Sequence, residues 1–412
     1  MCWKYYLWQY YNMSKITNIN GPINTVRLEG TVNGINKIIY VFFDLHHDIS
    51  DQTKCHNVLN IDINQYLMEV FKQHTKEKKM YDFFFETNPS EILGDMGNDK
   101  KKYIDELADL FNKSFKIVND KVTKSSVFPK VRLHYIDIRF YFGNSEDLLF
   151  SISEHIDGMY EEKEFDNSDI DDLIEMVGEL LDGTIELEKL IYTKGRSKIK
   201  KTQLIVDNIT FVDLSETDIK NNAIYLINKI KTKYANKDIQ KKILNIIDGE
   251  LKTYFKLYKE KLKIMIKNLE KIDIIDSDEL NPSLEFPTYG NSEYSYMNIL
   301  KTIYNDWYIC FQYGMLIHSL LIDLFFMRRF LDKDYITNGI SYTGAYHSTH
   351  YVYFLVKYFG FKITHYSYLK ESPKKVENHI RKMNLPHRLI PYVFGKKLIQ
   401  CSDLRKFPQD LE

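Results

Sequence analysis

Three short stretches place histidines and carboxylates directly after apolar runs. Ile38 to Phe43 are six consecutive apolar residues, and they end in Asp44, His46, His47 and Asp48, with Asp51, Cys55 and His56 following. Phe83 to Phe85 run into Glu86. In the third stretch, Gly344-Ala-Tyr-His347-Ser-Thr-His350, two histidines three apart share one side of a helical turn. Gly344 permits a tight turn or close backbone approach just before them. Imidazole binds zinc or another divalent ion, and imidazole with carboxylate runs general acid–base chemistry. The pattern predicts His46, His47, His347 and His350 as metal ligands, with a divalent metal ion as cofactor. It predicts His47, Glu86 and His347 as catalytic groups, with Glu86 orienting or deprotonating water. A carboxylate emerging from three phenylalanines is desolvated and needs a partner or a raised pKa. Each stretch also has a plain reading: a polar loop, a turn carboxylate before Pro89, a chance H-x-x-H.

Two further charges sit in apolar surroundings. Asp323 and Arg328 lie on the apolar stretch before the third motif, where buried charges are normally paired. The plain reading is an Asp–Arg structural pair; the functional one gives Arg328 an anionic group or developing charge to hold. Asp137 and Arg139 read as an ordinary ion pair on one strand face.

These groups need elements to present them. A buried strand reads as a continuous apolar run, which fits 38–43 and 83–85. Residues 131–142 alternate and read as one strand. Residues 61–79 and 101–117 read as helices. Residues 215–270 carry apolar positions at helical spacing and predict two long helices. After the apolar helical stretch 294–332, the chain reads strand, Gly turn, helix, Gly turn, strand. The order predicts an α/β fold: a mixed, partly parallel sheet flanked by helices, its core split by a mainly helical insertion. The expected divisions are an N-terminal tail 1–25, the first half of the core 26–150, the insertion and linker 151–293, the second half of the core 294–370 and a basic C-terminal segment 371–412. Open α/β sheets bind ligands at the carboxyl ends of strands, so the three motifs would meet at one rim.

Composition narrows the classes. The 412 residues are 44% hydrophobic and 27% charged with net charge −1, which excludes wholesale disorder and a globally basic nucleic-acid binder. The basic runs 194–201 and 373–406 would serve a nucleic-acid accessory role, a weaker reading, so nucleic acid is not an expected partner; a small molecule or peptide substrate is. Four scattered cysteines without a C-x-x-C pair indicate neither a zinc ribbon nor a disulfide framework. A reducing intracellular setting is expected, host cytoplasm or virion. Residues 1–13 lack the features of a secretory leader. The most apolar run, Trp307–Met327, contains Gln312, Gly314, His318 and Asp323, so a buried helix rather than a transmembrane segment is expected. No P-loop, G-x-G-x-x-G, G-x-S-x-G or H-E-x-x-H occurs. Only Ala108, Ala223, Ala235 and Ala345 are alanine; this bias resembles that of large DNA virus proteins and some AT-rich protists.

The arrangement of motifs resembles the TraB/Tiki group and its relatives ChaN and the erythromycin esterases. That pattern has G-x-x-H after an early strand, a Glu after the next strand, an arginine-bearing helix and a second G-x-x-H followed by a helix and strand. Here Gly344-Ala-Tyr-His347 resembles the second motif, Glu86 the strand carboxylate, and Arg328 or Arg329 the helix arginine. The first motif departs: Asp44-Leu45-His46-His47 has the histidine without the glycine. The resemblance covers residues 35–90 and 315–368 and implies a hydrolase, metal-assisted in some members. The alternative is a non-enzymatic structural or interaction protein, viral in origin, that keeps the fold with a decayed site.

Overall fold

The computed structural model describes residues 17–51, 55, 60–73, 79–87, 102–118, 121–142, 145–162, 166–193, 216–272, 292–408 and 411. Of the expected linker 273–293, residues 273–291 lie outside the described residues, as do the basic run at 194–201, His56 and Pro89, while residues 292–293 already belong to a long helix. A six-stranded sheet forms the core. Its strands are β1 (Asn24–Val32), β2 (Ile35–Asp44), β3 (Tyr81–Phe85), β4 (Val131–Tyr135), β5 (Asn338–Gly344) and β6 (Lys362–Tyr366), in the spatial order β6-β1-β2-β5-β3-β4. β1 is antiparallel to β2 and β6, while β2, β5, β3 and β4 are parallel neighbours. The register places Asp44 opposite Gly344, and Phe85 opposite both Tyr342 and Tyr135. The carboxyl ends of four strands therefore share one edge.

Both faces of this sheet are covered, which is why β2 and β3 carry the continuous apolar runs Ile38–Phe43 and Phe83–Phe85 rather than an alternating pattern. Tyr40, Phe42, Phe83, Phe85, Ile340 and Tyr342 face α1 (Ile63–Gln73) and α2 (Tyr103–Ser114). Ile39, Val41, Phe43 and Phe84 join the core on the other face. That core is shared with the helical insertion: α3 (Ser145–Glu162), α4 (Asn167–Tyr192), α5 (Glu216–Thr232), α6 (Lys237–Ile246) and α7 (Lys252–Leu269). α8 (Ser292–Asp332) runs from this bundle into the core, and α9 (Ala345–Phe359) and α10 (Pro373–Lys382) complete it. The buried Lys37 of β2 donates to the carbonyls of Phe330, Lys333 and Ile336 at 3.1, 2.8 and 2.6 Å. It thereby ties β2 to the last turn of α8 and to the loop that follows it. The stretch Asn298–Asp332 is long and apolar enough to cross a membrane, yet 67% of its most apolar window is buried inside the protein.

Several expectations change. Residues 131–142 are not one strand: β4 stops at Tyr135 and a 3₁₀ turn follows at Arg139–Phe142. The second predicted helix of 215–270 comprises α6 and α7 joined through one π-helical turn, Ile247–Leu251. The cysteines are also not all reduced. Cys55 and Cys401 form a disulfide across 346 residues of sequence, a pairing invisible to local spacing, while Cys310 is free and buried. The bond lies at a small three-stranded sheet in which Asn18–Asn20 pairs with Asn60–Asp62 on one side and Cys401–Asp403 on the other.

Candidate active site

The strand ends carry the polar groups. β2 stops at Asp44, 1% exposed, and the chain turns at His46, whose φ of +56° is a left-handed conformation rare outside glycine. β3 ends into Glu86, 7% exposed. β5 ends at Gly344, whose amide donates to Glu86 Oε2 at 2.5 Å. A Cβ on Gly344 would stand 3.0 Å from His46 Nε2 and 3.3 Å from Glu86 Oε2. Glycine is required here for close approach, since its φ of −49° is open to any residue.

From this point a chain of alternating carboxylates and imidazoles runs into the protein. Asp44 Oδ2 lies 2.8 Å from His46 Nδ1, and His46 Nε2 lies 3.5 Å from Glu86 Oε2. Glu86 Oε1 meets His347 Nε2 at 3.0 Å. His347 Nδ1 meets Asp323 Oδ1 at 2.7 Å, and the second oxygen of Asp323 meets His350 Nδ1. His347 and His350, in the first turns of α9, face the same carboxylate on α8 because their spacing puts them on one side of the helix. Asp323 and His350 are fully buried and His347 nearly so, whereas the His46 side chain is 32% exposed. His46 is thus where this chain meets solvent.

The charges follow from the contacts. Burial alone would lower the His46 imidazole, but hydrogen bonds to Asp44 and Glu86 reverse this and push it up to about 10. His347 is likewise opposed by burial and raised to about 10 by Glu86 and Asp323. Burial would raise Glu86, yet His347 and then His46 hold its carboxyl well below the usual range. At neutral pH two imidazolium ions flank one carboxylate. A third cation stands close: Arg139 Nη2 is 3.9 Å from Glu86 Oε1 and 2.6 Å from Asp137. Burial and the Arg139 charge press His318, on α8, down to about 4.

Of the residues the sequence singled out, Glu86, His46, His347 and His350 come together. His47 does not join them: its side chain is exposed, because the left-handed turn at His46 directs that residue, not its neighbour, toward Glu86. Arg328 is also turned elsewhere. Its Nε donates to the Lys233 carbonyl at 3.1 Å and its guanidinium lies over Tyr234, so it fastens α8 to the end of α5 and holds no anion at this rim. Nor does it pair with Asp323, whose oxygens go to the two histidines. Arg329 approaches His134. Asp323 and Arg139 are the members that sequence reasoning read as ordinary ion pairs. A charged residue inside an apolar helix was the available signal for Asp323.

The donor set does not fit a divalent ion. Both ring nitrogens of His347 are engaged by carboxylates, His350 is bound to the same carboxylate, and His47 is elsewhere. Among the described residues no group of three or more histidine, cysteine, aspartate or glutamate side chains is arranged to hold a metal. A cavity of about 310 Å³ lies apart from the site, between α7 and α8, lined by apolar residues with Asn268, Asn298, Thr302 and Asp306. Its acid, Asp306, accepts from Asn268 at 2.7 Å, and it offers no acid–base pair.

A model of a family of unknown function (DUF5847) matches residues 17–412. Among similar proteins, the uncharacterized protein R706 of Acanthamoeba polyphaga mimivirus is 34% identical, over 97% of this chain and all of its own length. R161 and R160 of the same virus are 30% and 32% identical, each over 96% of this chain and 98% and 97% of their own lengths. The relatives are thus proteins of a giant DNA virus, as the composition suggested, and none of them carries a TraB/Tiki name. No solved structure matches.

Proposed function

The chain belongs to the DUF5847 family of unknown function, and from its site we propose that it is a hydrolase using His46 and Glu86 as its acid–base pair. The observation that carries this reading is the row of alternating carboxylates and imidazoles from Asp44 to His350, each within 3.5 Å of the next, that meets solvent at His46, at the carboxyl ends of parallel strands. A backbone held in the left-handed region at the one exposed member is a cost that a purely structural ion pair has no need of. In this scheme His347, an imidazolium clamped between Glu86 and Asp323, keeps its proton and fixes the Glu86 carboxylate. The ionised Glu86 accepts the proton of the attacking water while His46, oriented by Asp44, protonates the leaving group, and passage of the proton from Glu86 to His46 then restores both groups. Arg139 steadies negative charge beside Glu86. The distant resemblance to the TraB/Tiki and erythromycin-esterase pattern is carried here by Glu86 and by Gly344-Ala-Tyr-His347, since the first motif, read from Asp44, would place its histidine at the exposed His47 rather than at His46.

The test is turnover of a panel of carboxylic esters, amides and phosphate esters by purified protein, with and without EDTA. Wild type should hydrolyse at least one class irrespective of chelator. His46→Gln and Glu86→Gln should each lose on the order of 10²–10⁴-fold, the usual weight of a positioned acid–base group, while His47→Ala keeps full rate. Equal rates in all four proteins would discard the site.

A second reading is a non-catalytic viral interaction protein. The near-complete burial of Asp44, Glu86, Asp323, His347 and His350 favours it, because a buried ion network can serve only to lock α8, α9 and the strand ends together. Absence of turnover across the panel, with the fold intact, would move this reading to the front.

A further inference from the structure

We propose that the Cys55–Cys401 disulfide is a redox latch on the turn that carries His46, so that a thiol reductant loosens His46 from Glu86. This rests on the reading of His46 as the solvent-facing member of the site. The turn begins at Asp44 on the firmly hydrogen-bonded edge of β2. A lone bridge between Asp48 and Lys102 and a short 3₁₀ turn at Ile49–Asp51 steady it. Cys55 follows nine positions after His46. Its amide donates to Asn20 Oδ1 at 2.9 Å, and its carbonyl accepts from Asn60 Nδ2 at 3.0 Å. The disulfide then joins it to Cys401, which lies opposite Asn20 in the small sheet. Both of Cys55's fixed partners are therefore residues of that sheet, and the covalent bond closes the sheet onto the C-terminal segment.

The same small sheet reaches the back of the site. Gly21, directly after its central strand, donates its amide N–H to the Gln400 carbonyl at 3.2 Å. A Cβ there would lie 3.3 Å from the Tyr342 hydroxyl. Burial, with the Asp44 charge next to it, keeps that phenol protonated far above its ordinary range. Loosening the sheet thus relaxes the support of the residue that orients His46. His46 is the member with most to lose, because its left-handed backbone persists only while its surroundings hold it. His347 is clamped by Asp323 from α8 and is independent of the latch.

Chemically, one thiolate of the reductant attacks a sulfur of the bond, forming a mixed disulfide and releasing one cysteine thiolate. A second reductant thiolate displaces the other cysteine and leaves as the oxidised reductant. Two electrons and two protons end on Cys55 and Cys401. The half-buried Cys401 offers the approach, since Cys55 is 8% exposed.

The experiment compares full-length protein kept oxidised with the same protein after dithiothreitol, the two states being checked by mass and thiol count. Hydrogen exchange is read at residues 45–51, and histidine ring resonances are titrated by NMR, with His46 assigned through His46→Gln. Reduction should speed exchange at 45–51 by about tenfold or more and move the His46 titration down toward 6.5, leaving His347 unmoved. Cys401→Ser should reproduce the reduced state and Cys310→Ser should behave as wild type. Should Cys401→Ser fail to fold, reduction of the wild-type protein stands alone as the test. Identical exchange and His46 titration in both states, or four free thiols in protein exposed to oxidant, would overturn the latch. No turnover enters these readings, so an inactive protein with a mobile His46 refutes only the hydrolase reading, and an active one with an unmoved His46 refutes only the latch.

Discussion

Glu86 takes the Gly344 amide and His46 at one oxygen and His347 at the other, so replacing it strands two buried or half-buried cations. Breaking such a pair by removing one partner costs about 3–5 kcal/mol, and Glu86→Gln should lose that much in urea unfolding at pH 6. The loss should depend on pH. His46 and His347 bind their protons more tightly folded, at about 10, than at their ordinary 6.5. Their contribution is full below pH 6.5 and drains as pH rises to about 10. Glu86 lies well below 4.5 when folded, so its share is present above that value and disappears on acidification. The gap between wild type and Glu86→Gln should be widest between about pH 4.5 and 6.5 and shrink toward pH 10; a gap that grew with alkali would contradict the charge assignment. Gly344→Ala should cost about 1–3 kcal/mol, the usual range for overpacking, and displace the His46 ring, a shift visible in its NMR titration. Which of these residues could be read from sequence depended on what surrounds them. Glu86 announced itself by following the apolar run Phe83–Phe85, and Gly344 and His347 by a glycine turn leading into H-x-x-H. The choice between His46 and His47 was made by a single backbone dihedral, and Asp323 and Arg139 became site members only through tertiary contacts that an ion-pair reading explains equally well.

Elements were more legible than their ends. β2 and β3 were visible through their apolar runs, Ile38–Phe43 and Phe83–Phe85, which burial of both faces favours, whereas β5, equally buried but with Asn338, Ser341 and Thr343, was marked by the glycine turn that follows it. The break at Tyr135 was hidden: Ile136 and Ile138 continue the alternation while the chain has already left the ladder to place Asp137 and Arg139 beside Glu86. The role of Lys37 was hidden for the same reason, since a lysine in a strand reads as a solvent-facing residue. Here it is 1% exposed and gives all three donors to the last turn of α8 and the loop that follows it, with burial lowering its ammonium to about 8. Lys37→Met keeps the length of the stem but leaves three carbonyls without that donor. It should destabilise the protein by about 1.5–3 kcal/mol, the range for hydrogen bonds to a charged group, in chemical denaturation. If stability is unchanged, the end of α8 is held by packing alone.

Across the whole molecule, contacts that close the fold join residues far apart in the chain. The mixed sheet, its flanking helices and the helical insertion follow from the order of apolar runs. The disulfide does not, because pairing over 346 residues depends on where two chain ends come to rest. Native disulfides contribute about 2–5 kcal/mol, mainly by restricting the unfolded chain. Dithiothreitol should therefore lower the melting temperature of wild type and leave that of Cys401→Ser where it is. An equal response in both proteins would assign the effect to another thiol.

The position of β5 between β2 and β3 has a consequence for how the protein comes into being. Glu86 and Gly344, bonded in the finished molecule, are 258 residues apart in sequence. While the ribosome is still making the insertion, the first half of the sheet exists as two separate pieces, each with a bare apolar edge where the missing strand will dock. Such edges invite pairing with other chains, and assembly must wait for a non-local contact of the slow kind. Emergence of residues 338–344 joins the two pieces of the sheet, and the following turn of α9 brings His347 to Glu86. A nascent chain of this protein carries no assembled site until its last quarter has been synthesised, and a prematurely terminated one is an aggregation hazard rather than a partial enzyme.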